Sequence, residues 1–348
     1  MRGDAPDRVP FDTPFIFPGF REKWARWKKV PPESLEDYYG LDVCEVEADH
    51  SPRPALARVV SESDGERVFV DGFGQVHREK TGSLGVWEVL DVAIKEKRDL
   101  DRFEFEPADD GRRYARMLEA YQAAEDRYWV RAKVGGPYSR SKRLRGEADF
   151  LMDLVTDEPF ARELVRRVTD LMIAVGVESI RRLNLKTAVH VHDDFASVKA
   201  PMFSPRVYER VFLPAMARMC DSFHAQGVKV IYGGEGRTID VLPALIDAGV
   251  DALTCLEPRA GMDAVALREK LGDRVVFFGS MCNTIVLPKG SKDDIRDMVL
   301  RHMKFARRGR SIVGPSHSVS DEVPPENLDH LWRLVREWAP WDADLPES

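Results

Sequence analysis

From about Tyr128 onward the chain alternates short apolar runs with long amphipathic segments. Short runs rich in Val, Ile and aromatic residues are typical of buried strands, and the amphipathic segments between them are typical of crossover helices. The runs lie at residues 128–136, 187–194, 229–234, 251–258, 274–281 and 311–317. The alternation therefore predicts an α/β fold in which parallel strands are joined by helices.

Two further strands would close such a sheet into a barrel. Residues 7–15, DRVPFDTPF, can supply one of them, and we expect the other within residues 50–100. The resulting fold is a (β/α)8 TIM barrel, which commonly exceeds about 250 residues. All of residues 1–348 can then form a single domain. An open doubly wound sheet is the alternative.

Residues 20–100 differ in character from the rest of the chain. They are rich in aromatic and charged residues, and ERVFVDGFGQVHREKTG predicts a β-hairpin. Gly72 and Gly74 resemble part of a dinucleotide-binding fingerprint, but no helical pattern follows them, which favours a turn or a bulge. We expect this segment to form cap elements on the rim of the barrel.

A helical pattern extends from Ser204 to Gly227. Ser204 suits the N-cap, Pro205 suits the first helical position, and Gly227 ends the pattern. The sequence therefore predicts a helix between the second and third of the strands that follow Tyr128.

The chain is acidic, with a formal net charge of -7 and a pI near 5.7. An acidic excess without a long basic run argues against nucleic-acid binding. The basic segment RSKRLR, residues 140–145, favours a solvated loop, with binding of an anionic substrate as the alternative. No run approaches the ~18 apolar residues of a membrane helix, and the charged N-terminus lacks a secretory signal. We expect a cytoplasmic protein that does not contact membranes.

In a barrel of this kind, functional side chains lie at the carboxyl ends of the strands. The polar candidates there are His190, His192, Asp193, Asp194, Tyr232, Glu235, Cys255, Glu257, Cys282 and His317. The stretch VIYGGEGRT, residues 230–238, places Glu235 among three glycines. A phosphate-binding loop would need Lys followed by Ser or Thr after the last glycine, and a carboxylate there would repel phosphate. A plain glycine-rich turn and a metal site are the alternatives that remain.

The strand end HVHDD, residues 190–194, offers two kinds of candidate. His190 and His192 share one face of the strand. His190 lies deeper in the strand, which favours its interpretation as a hydrogen-bonded residue of the core. Asp193 and Asp194 close the strand. Clustered carboxylates raise one another's pKa, which would suit one of them to protonate a leaving group, and capping of the following loop is the alternative.

Six segments of the chain resemble, in order, the uroporphyrinogen decarboxylase superfamily. They are PDRVPF, GPYSRSKRLRGEADFLMDL, HDDFASVKAPMFSPRVYERVFLP, HAQGVKVIYGGEGRTIDVLPALIDAGVDAL, LEPRAGMD and VGPSHSVSDEVPPENL. The resemblance covers nearly the whole chain and implies a (β/α)8 barrel. The superfamily includes metal-free porphyrinogen decarboxylases and zinc- or corrinoid-linked methyltransferases, among them O-demethylases. The arginine- and glycine-rich N-terminal signature of the decarboxylases is not visible here, which favours the methyltransferase branch.

Thiol-alkylating members of the superfamily carry a His-x-Cys pair, a Glu and a Cys after successive strands. In this chain those positions correspond to Gly233 and Glu235, to Glu257 and to His317. The resemblance thus implies a metal site of Glu235, Glu257 and His317, with an open position as in catalytic zinc sites and with Cys282 as an additional candidate ligand. Gly233 has no side chain, so the space that the histidine imidazole fills in those members would be empty here. Oxygen-rich ligands are less selective for zinc, so iron and manganese are alternatives.

The resemblance implies a corrinoid-dependent methyltransferase of the O-demethylase type, acting on a methyl ether or a similar small-molecule methyl donor. No D-x-H-x-x-G corrinoid-binding signature occurs, so the corrinoid is expected on a separate partner protein. The catalytic candidates are Asp194, Asp193 and His192, and the substrate-binding candidates are Tyr232, Cys282 and Arg21. One alternative is a metal-free decarboxylase of a polycarboxylate, held by Arg21, Arg140 or Arg143. Another is a barrel that binds a corrinoid or tetrapyrrole without turnover.

Overall fold

A computed structural model describes residues 6–80 and 87–346. It contains a seven-stranded parallel sheet and a separate four-stranded antiparallel sheet. The strands are β1 Val43–Glu47, β2 Arg58–Ser63, β3 Glu66–Val70, β4 Val76–Lys80, β5 Trp87–Asp91, β6 Trp129–Gly135, β7 Ala188–His192, β8 Lys229–Gly233, β9 Ala252–Thr254, β10 Val276–Phe278 and β11 Ser311–Ile312. The order in the parallel sheet is β1-β6-β7-β8-β9-β10-β11. Strands that follow one another along the chain are thus neighbours in the sheet, as in a TIM-barrel-like fold.

Helices precede β1, occupy the connections between the parallel strands and follow β11. They are α1 Pro18–Lys28, α2 Leu35–Tyr39, α3 Lys97–Arg102, α4 Ala115–Ala124, α5 Pro137–Arg145, α6 Glu147–Thr156, α7 Glu158–Leu183, α8 Pro205–Val207, α9 Leu213–His224, α10 Leu242–Asp247, α11 Ala264–Leu271, α12 Val286–Lys289, α13 Lys292–Ala306 and α14 Pro325–Trp338. Among the residues described, no helix combines the length and the apolar character needed to span a bilayer. The six strands predicted after Tyr128 are confirmed as β6 to β11, each within its predicted range.

The position of β1 corrects a prediction. We expected another strand of this sheet within residues 50–100, but residues 43–47 pair with β6 instead. The strand carries two glutamates, Glu45 and Glu47, which give it the appearance of a solvent-exposed segment. Glu45 is instead paired across the strands, where its Oε2 accepts a hydrogen bond from Arg131 Nε at 2.8 Å.

Residues 50–100 hold the antiparallel sheet. The strands β3 and β4 form the predicted hairpin, with Phe69 opposite His77. Gly74, in the turn between them, has a φ of 77°, which glycine adopts at little cost. The predicted turn is therefore confirmed, and the cap role of this segment stays a prediction.

Residues 7–15 do not form a regular strand in the described structure. Phe11 makes an isolated parallel bridge to Val313. Asp12 N donates to Val313 O at 2.9 Å, and Asp42 N donates to Phe11 O at 3.0 Å. The segment thus contacts residues beside both edge strands, β11 and β1, while the closed eight-stranded barrel stays a prediction.

The helix predicted to begin after Ser204 is interrupted. Ser204 caps it as expected, since its Oγ accepts from Val207 N at 3.3 Å. Residues Tyr208–Phe212 then form a π-helical turn before α9. Pro214, at the start of α9, has no N–H to continue the α-helical hydrogen-bond ladder, which favours a wider turn at this point.

Candidate functional site

The carboxyl ends of the parallel strands meet at one edge of the sheet, which we call the strand-end face. Two neighbouring strands end there with His192 opposite Gly233. Asp194 follows the first strand and Glu235 follows the second, so both carboxylates emerge at the same place. Strand pairing thus brings one imidazole and two carboxylates together.

His192, Asp194 and Glu235 form a compact group in the described structure, with one ligand atom of each within 4.8 Å of the others. Glu235 N donates to Asp194 Oδ1 at 2.7 Å, and His192 Nδ1 lies 3.7 Å from Asp194 Oδ2. His317, which follows β11, extends the group because its Nε2 lies 2.5 Å from Glu235 Oε1. We call these four residues the strand-end cluster.

Burial and pairing set the charges of the strand-end cluster. Burial above all, with His190 and nearby cationic groups, lowers the pKa of His192 to about 2, so this imidazole is neutral near pH 7. The hydrogen bond with His317 lowers the pKa of Glu235. Burial alone would lower the pKa of His317, but Glu235 outweighs burial and raises it. Burial raises the pKa of Asp194, so that this carboxyl holds a proton more readily than usual.

Three members of the strand-end cluster, His192, Asp194 and Glu235, could hold a divalent cation. Ligand atoms about 2.0–2.2 Å from one zinc ion lie at most ~4.4 Å apart, so small side-chain rotations would bring the 4.8 Å group around one ion. A neutral imidazole and two carboxylates are donors that such ions accept. Of the predicted ligands, the structure brings Glu235 and His317 into contact, and it adds His192 and Asp194. It does not bring Glu257 into this group.

Glu257 lies in a separate buried contact. Its side chain accepts a hydrogen bond from Arg259 N at 3.0 Å and one from Thr284 Oγ1 at 3.2 Å. Ser316 Oγ lies 3.5 Å from the other carboxylate oxygen. The predicted Cys282 is close by, with its Sγ 3.7 Å from Thr284 Oγ1. Glu257 thus caps the 3-10 turn Pro258–Ala260, a role that the sequence did not reveal.

Asp193 faces inward, although it is adjacent to Asp194 in sequence. It is fully buried, and its carboxylate accepts from Ser139 N at 2.7 Å and from Tyr138 N at 3.3 Å. These N–H groups belong to the first turn of α5, where a carboxylate is stabilising. Asp193 therefore holds the start of α5 against the end of β7.

Two predicted substrate-binding residues are engaged elsewhere. Tyr232 is 2% exposed, and its hydroxyl donates to Asp193 O at 3.3 Å. Arg21 is paired with Glu36, whose Oε2 accepts from Arg21 Nη1 at 2.9 Å. The phenol is therefore packed in the interior, and the guanidinium has a carboxylate partner from its own chain.

The glycines of VIYGGEGRT lie against other atoms of the protein. A Cβ at Gly233 would lie 2.3 Å from His190 Nε2, and a Cβ at Gly236 would lie 2.4 Å from Ala196 O. The space at Gly233 is thus filled by an imidazole from the neighbouring strand, which corrects the expectation that it is open. The loop is a tight turn that directs Glu235 into the strand-end cluster.

Sequence reasoning missed an ionic network inside the sheet. Glu45 Oε2 lies 2.7 Å from His190 Nδ1 and accepts from Arg131 Nε at 2.8 Å. Asp12 Oδ2 lies 3.5 Å from Arg131 Nη2. The sequence signal for it was Arg131 inside the predicted strand 128–136, because an arginine is rarely buried unless it is paired. His190 is hydrogen-bonded in the core as predicted, although its Nε2 has no partner among the residues described.

The basic segment 140–145 is part of α5, and the prediction of a solvated loop was wrong. Arg145 is buried and donates to Asp153 Oδ2 at 2.7 Å. Arg143 donates to Asp71 Oδ2 at 2.6 Å. Pro137, at the first helical position directly after β6, starts the helix where the sequence suggested a loop.

Comparison with known proteins gives a family and a shared fold. The model of the uroporphyrinogen decarboxylase (URO-D) family matches residues 89–338. A search of curated proteins found no match. A methyltransferase from Methanosarcina mazei aligns with a TM-score of 0.68 and 14% identity, over 97% of this chain and 96% of that chain.

Two other solved structures align less well. A D-psicose 3-epimerase, determined in the presence of D-fructose, has a TM-score of 0.37 and 10% identity over 63% of this chain and 80% of that chain. A chitinase from Chromobacterium violaceum has a TM-score of 0.38 and 8% identity over 92% and 96%. Scores this low carry no argument about function, and the likeness to the methyltransferase concerns the fold.

Proposed function

This chain belongs to the uroporphyrinogen decarboxylase family, and we propose that it acts as a methyltransferase. In this proposal a methyl ether, or a similar small molecule, gives its methyl group to a corrinoid carried by a separate protein. The fold shared with a methyltransferase at a TM-score of 0.68 supports the reaction class. The observation that carries the proposal is the strand-end cluster. It offers acid groups at the carboxyl-terminal face, where enzymes with barrel folds have their active sites.

Methyl transfer from an ether breaks a carbon–oxygen bond. A reduced corrinoid on the partner protein would supply the nucleophile for the methyl group. The electron pair of the broken bond stays on the oxygen, which leaves as a poor leaving group unless a proton or a Lewis acid neutralises its charge. The task of the strand-end cluster is to neutralise that charge, and it can do so in two ways.

In the first form of the proposal, Asp194 donates a proton. Glu235 N fixes Asp194 Oδ1 at 2.7 Å, which leaves Oδ2 to hold the proton. The Asp194 side chain is 35% exposed, so a substrate can reach it. As the carbon–oxygen bond breaks, the proton passes from Oδ2 to the oxygen and leaves a carboxylate behind. The contact of His317 with Glu235 keeps the Glu235 backbone and side chain in place during this step.

In the second form, His192, Asp194 and Glu235 would hold a divalent cation, with His317 beside them. Zinc is the expected ion, and iron and manganese are alternatives for such ligands. When bound, the cation supplies Lewis acidity to the leaving oxygen. His192 suits this role because its imidazole is neutral, and Glu235 suits it because its carboxylate is ionised.

The test uses the purified chain, a reduced corrinoid protein and a panel of methyl ethers. We expect the cobalt(I) absorbance to disappear with at least one donor, and only when the chain is present. Elemental analysis of the same preparation separates the two forms, since about one divalent ion per chain supports the second form. Release of carbon dioxide from a polycarboxylate, with no loss of cobalt(I), would contradict the proposal and favour a decarboxylase. Binding of the corrinoid protein without turnover would favour a non-catalytic barrel.

A further inference from the structure

Arg140 differs from the other arginines with little exposed surface. The guanidinium of Arg113 donates to four backbone carbonyls. Arg268 donates to Asp273 and to two carbonyls. Arg140 makes no side-chain hydrogen bond within the described part of the chain, and its closest carboxylate, that of Glu47, lies 3.9 Å from Nη2. That distance exceeds a hydrogen bond.

The position of Arg140 places its guanidinium at the strand-end face. The residue lies in the first turns of α5, which begins directly after β6. A Cβ at Gly135, the last residue of β6, would lie 1.8 Å from Arg140 Nε, so the guanidinium lies directly over the end of this strand. Its side chain is 14% exposed, and its Nε is buried without a partner. Glycine at position 135 is therefore required for the guanidinium to occupy this place.

The charge on Arg140 is poorly compensated. Burial and the neighbouring Arg143 lower its pKa to about 10, which still leaves it protonated near neutral pH. Removing a charge from water without a hydrogen-bonded counterion is unfavourable. Arg143 avoids this cost through its contact with Asp71 at 2.6 Å. The Arg140 guanidinium thus carries a charge with no hydrogen-bonded counterion among the described residues.

Two residues near the Arg140 guanidinium, Glu47 and Phe73, line a cavity that offers room for the rest of a ligand, although Arg140 itself is not part of the lining. It has a volume of about 550 Å³, and its lining includes Glu47, His50, Phe73 and Arg143. The Arg140 and Arg143 guanidinium carbons lie 5.9 Å and 4.1 Å from the centre of the Phe73 ring. The lining therefore combines an aromatic surface with polar groups, which suits an organic ion with an apolar body.

We infer that Arg140 binds the anionic group, a carboxylate or a phosphate, of the small molecule that enters the strand-end face. A planar guanidinium with free donors binds either group through two parallel hydrogen bonds. In the proposed reaction this molecule is the methyl donor, and the inference rests on the proposed function to that extent. Binding itself requires no corrinoid and no turnover, so it can be tested separately.

The experiment is isothermal titration of the full chain with benzoate, with inorganic phosphate and with neutral benzamide. The variants are Arg140→Leu and, as a control, Lys142→Leu, which removes the same charge from the same helix at a residue already paired with Glu147. We expect benzoate or phosphate to bind the unmodified chain and Lys142→Leu with similar affinity. Arg140→Leu should weaken that binding about ten-fold or more, because charge-assisted hydrogen bonds are lost. Comparing benzoate with phosphate identifies which anion is preferred.

Urea unfolding of the same variants without added anion gives a second measurement. An arginine kept for a ligand has no hydrogen-bonded partner to lose, so the Arg140→Leu midpoint should equal or exceed that of the unmodified chain. Equal anion binding in Arg140→Leu, no anion binding in the unmodified chain, or a midpoint that falls in Arg140→Leu would each overturn the inference. Intact anion binding with no methyl transfer would count against the proposed function alone.

Discussion

The parallel sheet carries two carboxylate–imidazole pairs of the same chemistry and of different burial. Glu45 and His190 lie 2.7 Å apart inside the sheet, with side chains 20% and 4% exposed. Glu235 and His317 lie 2.5 Å apart at the strand-end face, with side chains 50% and 26% exposed. We refer to them as the interior pair and the face pair.

Burial makes the two pairs behave in opposite ways. In the interior pair, burial lowers the pKa of His190 although Glu45 is in contact with it. In the face pair, Glu235 outweighs burial and raises the pKa of His317. Burial alone would raise the pKa of Glu45, but His190 and Arg131 hold it well below its ordinary value. The His190 imidazole of the interior pair therefore loses its proton at a lower pH than usual, and the His317 imidazole of the face pair keeps its proton to a higher pH than usual.

The largest expected effect is a difference in the free energy of unfolding between variants of the interior pair and variants of the face pair. Glu45→Gln removes the carboxylate that is hydrogen-bonded to the buried Arg131, and breaking such a buried pair costs about 3–5 kcal/mol of unfolding free energy. Glu235→Gln is the matched control, because a pair this exposed contributes about 1 kcal/mol or less. Urea unfolding measures both values. Equal losses in the two variants would show that burial does not distinguish the pairs.

The second effect concerns the reaction. Asp194→Asn removes the proton that the proposal assigns to Oδ2, and general acid catalysis is worth about 10²-fold or more in rate. We expect at least that loss of methyl transfer to the corrinoid, measured as cobalt(I) decay under single-turnover conditions. Asp193→Asn should differ, because it weakens a helix cap and lowers stability instead. A normal rate in Asp194→Asn would remove this residue from the mechanism.

A smaller effect appears in the dependence of stability on pH, measured after treatment with a chelator. His317 has a raised pKa when folded, so its contribution is present below its unfolded pKa, about 6.5, and is lost as pH rises through the folded value. His190 has a lowered pKa, so its contribution is present above about 6.5 and is lost as pH falls. His317→Gln should therefore destabilise more at about pH 5.5 than at about pH 8.5, and His190→Gln should do the reverse. Parallel profiles would contradict the comparison.

The smallest effect is expected at Arg21. Its ion pair with Glu36 is partly exposed on both sides, and such pairs contribute a few tenths of a kcal/mol, ~0.3. Arg21→Gln should therefore change the urea midpoint little and leave anion binding as it is. A large loss of anion binding in this variant would restore Arg21 to the substrate site and would weaken the inference about Arg140.

The sequence predicted the strands after Tyr128 because each is an apolar run between helical segments. It could not locate β1, because Glu45 in that strand is compensated by Arg131 from another part of the chain. It also could not predict the π-helical turn Tyr208–Phe212, which depends on how Pro214 meets the preceding turn. Local pattern gives the type of element, and partners distant in sequence decide the exceptions.

The candidate site was predicted in part for the same reason. Alternation along paired strands places His192, Asp194 and Glu235 at one face, and this can be inferred from spacing. The direction of a side chain after the strand end depends on the turn that follows, so the inward position of Asp193 and the separate contact of Glu257 were not predictable. The lack of a hydrogen-bond partner for Arg140 can be recognised only once the positions of the neighbouring acceptors are known.

The most direct test of the account is made on Glu235→Gln, with two measurements on one preparation. The account predicts that cobalt(I) decay with a methyl donor slows about ten-fold or more, because the strand-end cluster loses an ionised carboxylate. It also predicts that the free energy of unfolding stays within about 1 kcal/mol of the unmodified chain. An unchanged rate, or a rate that falls only together with stability, would contradict the claim that the face pair serves the chemistry.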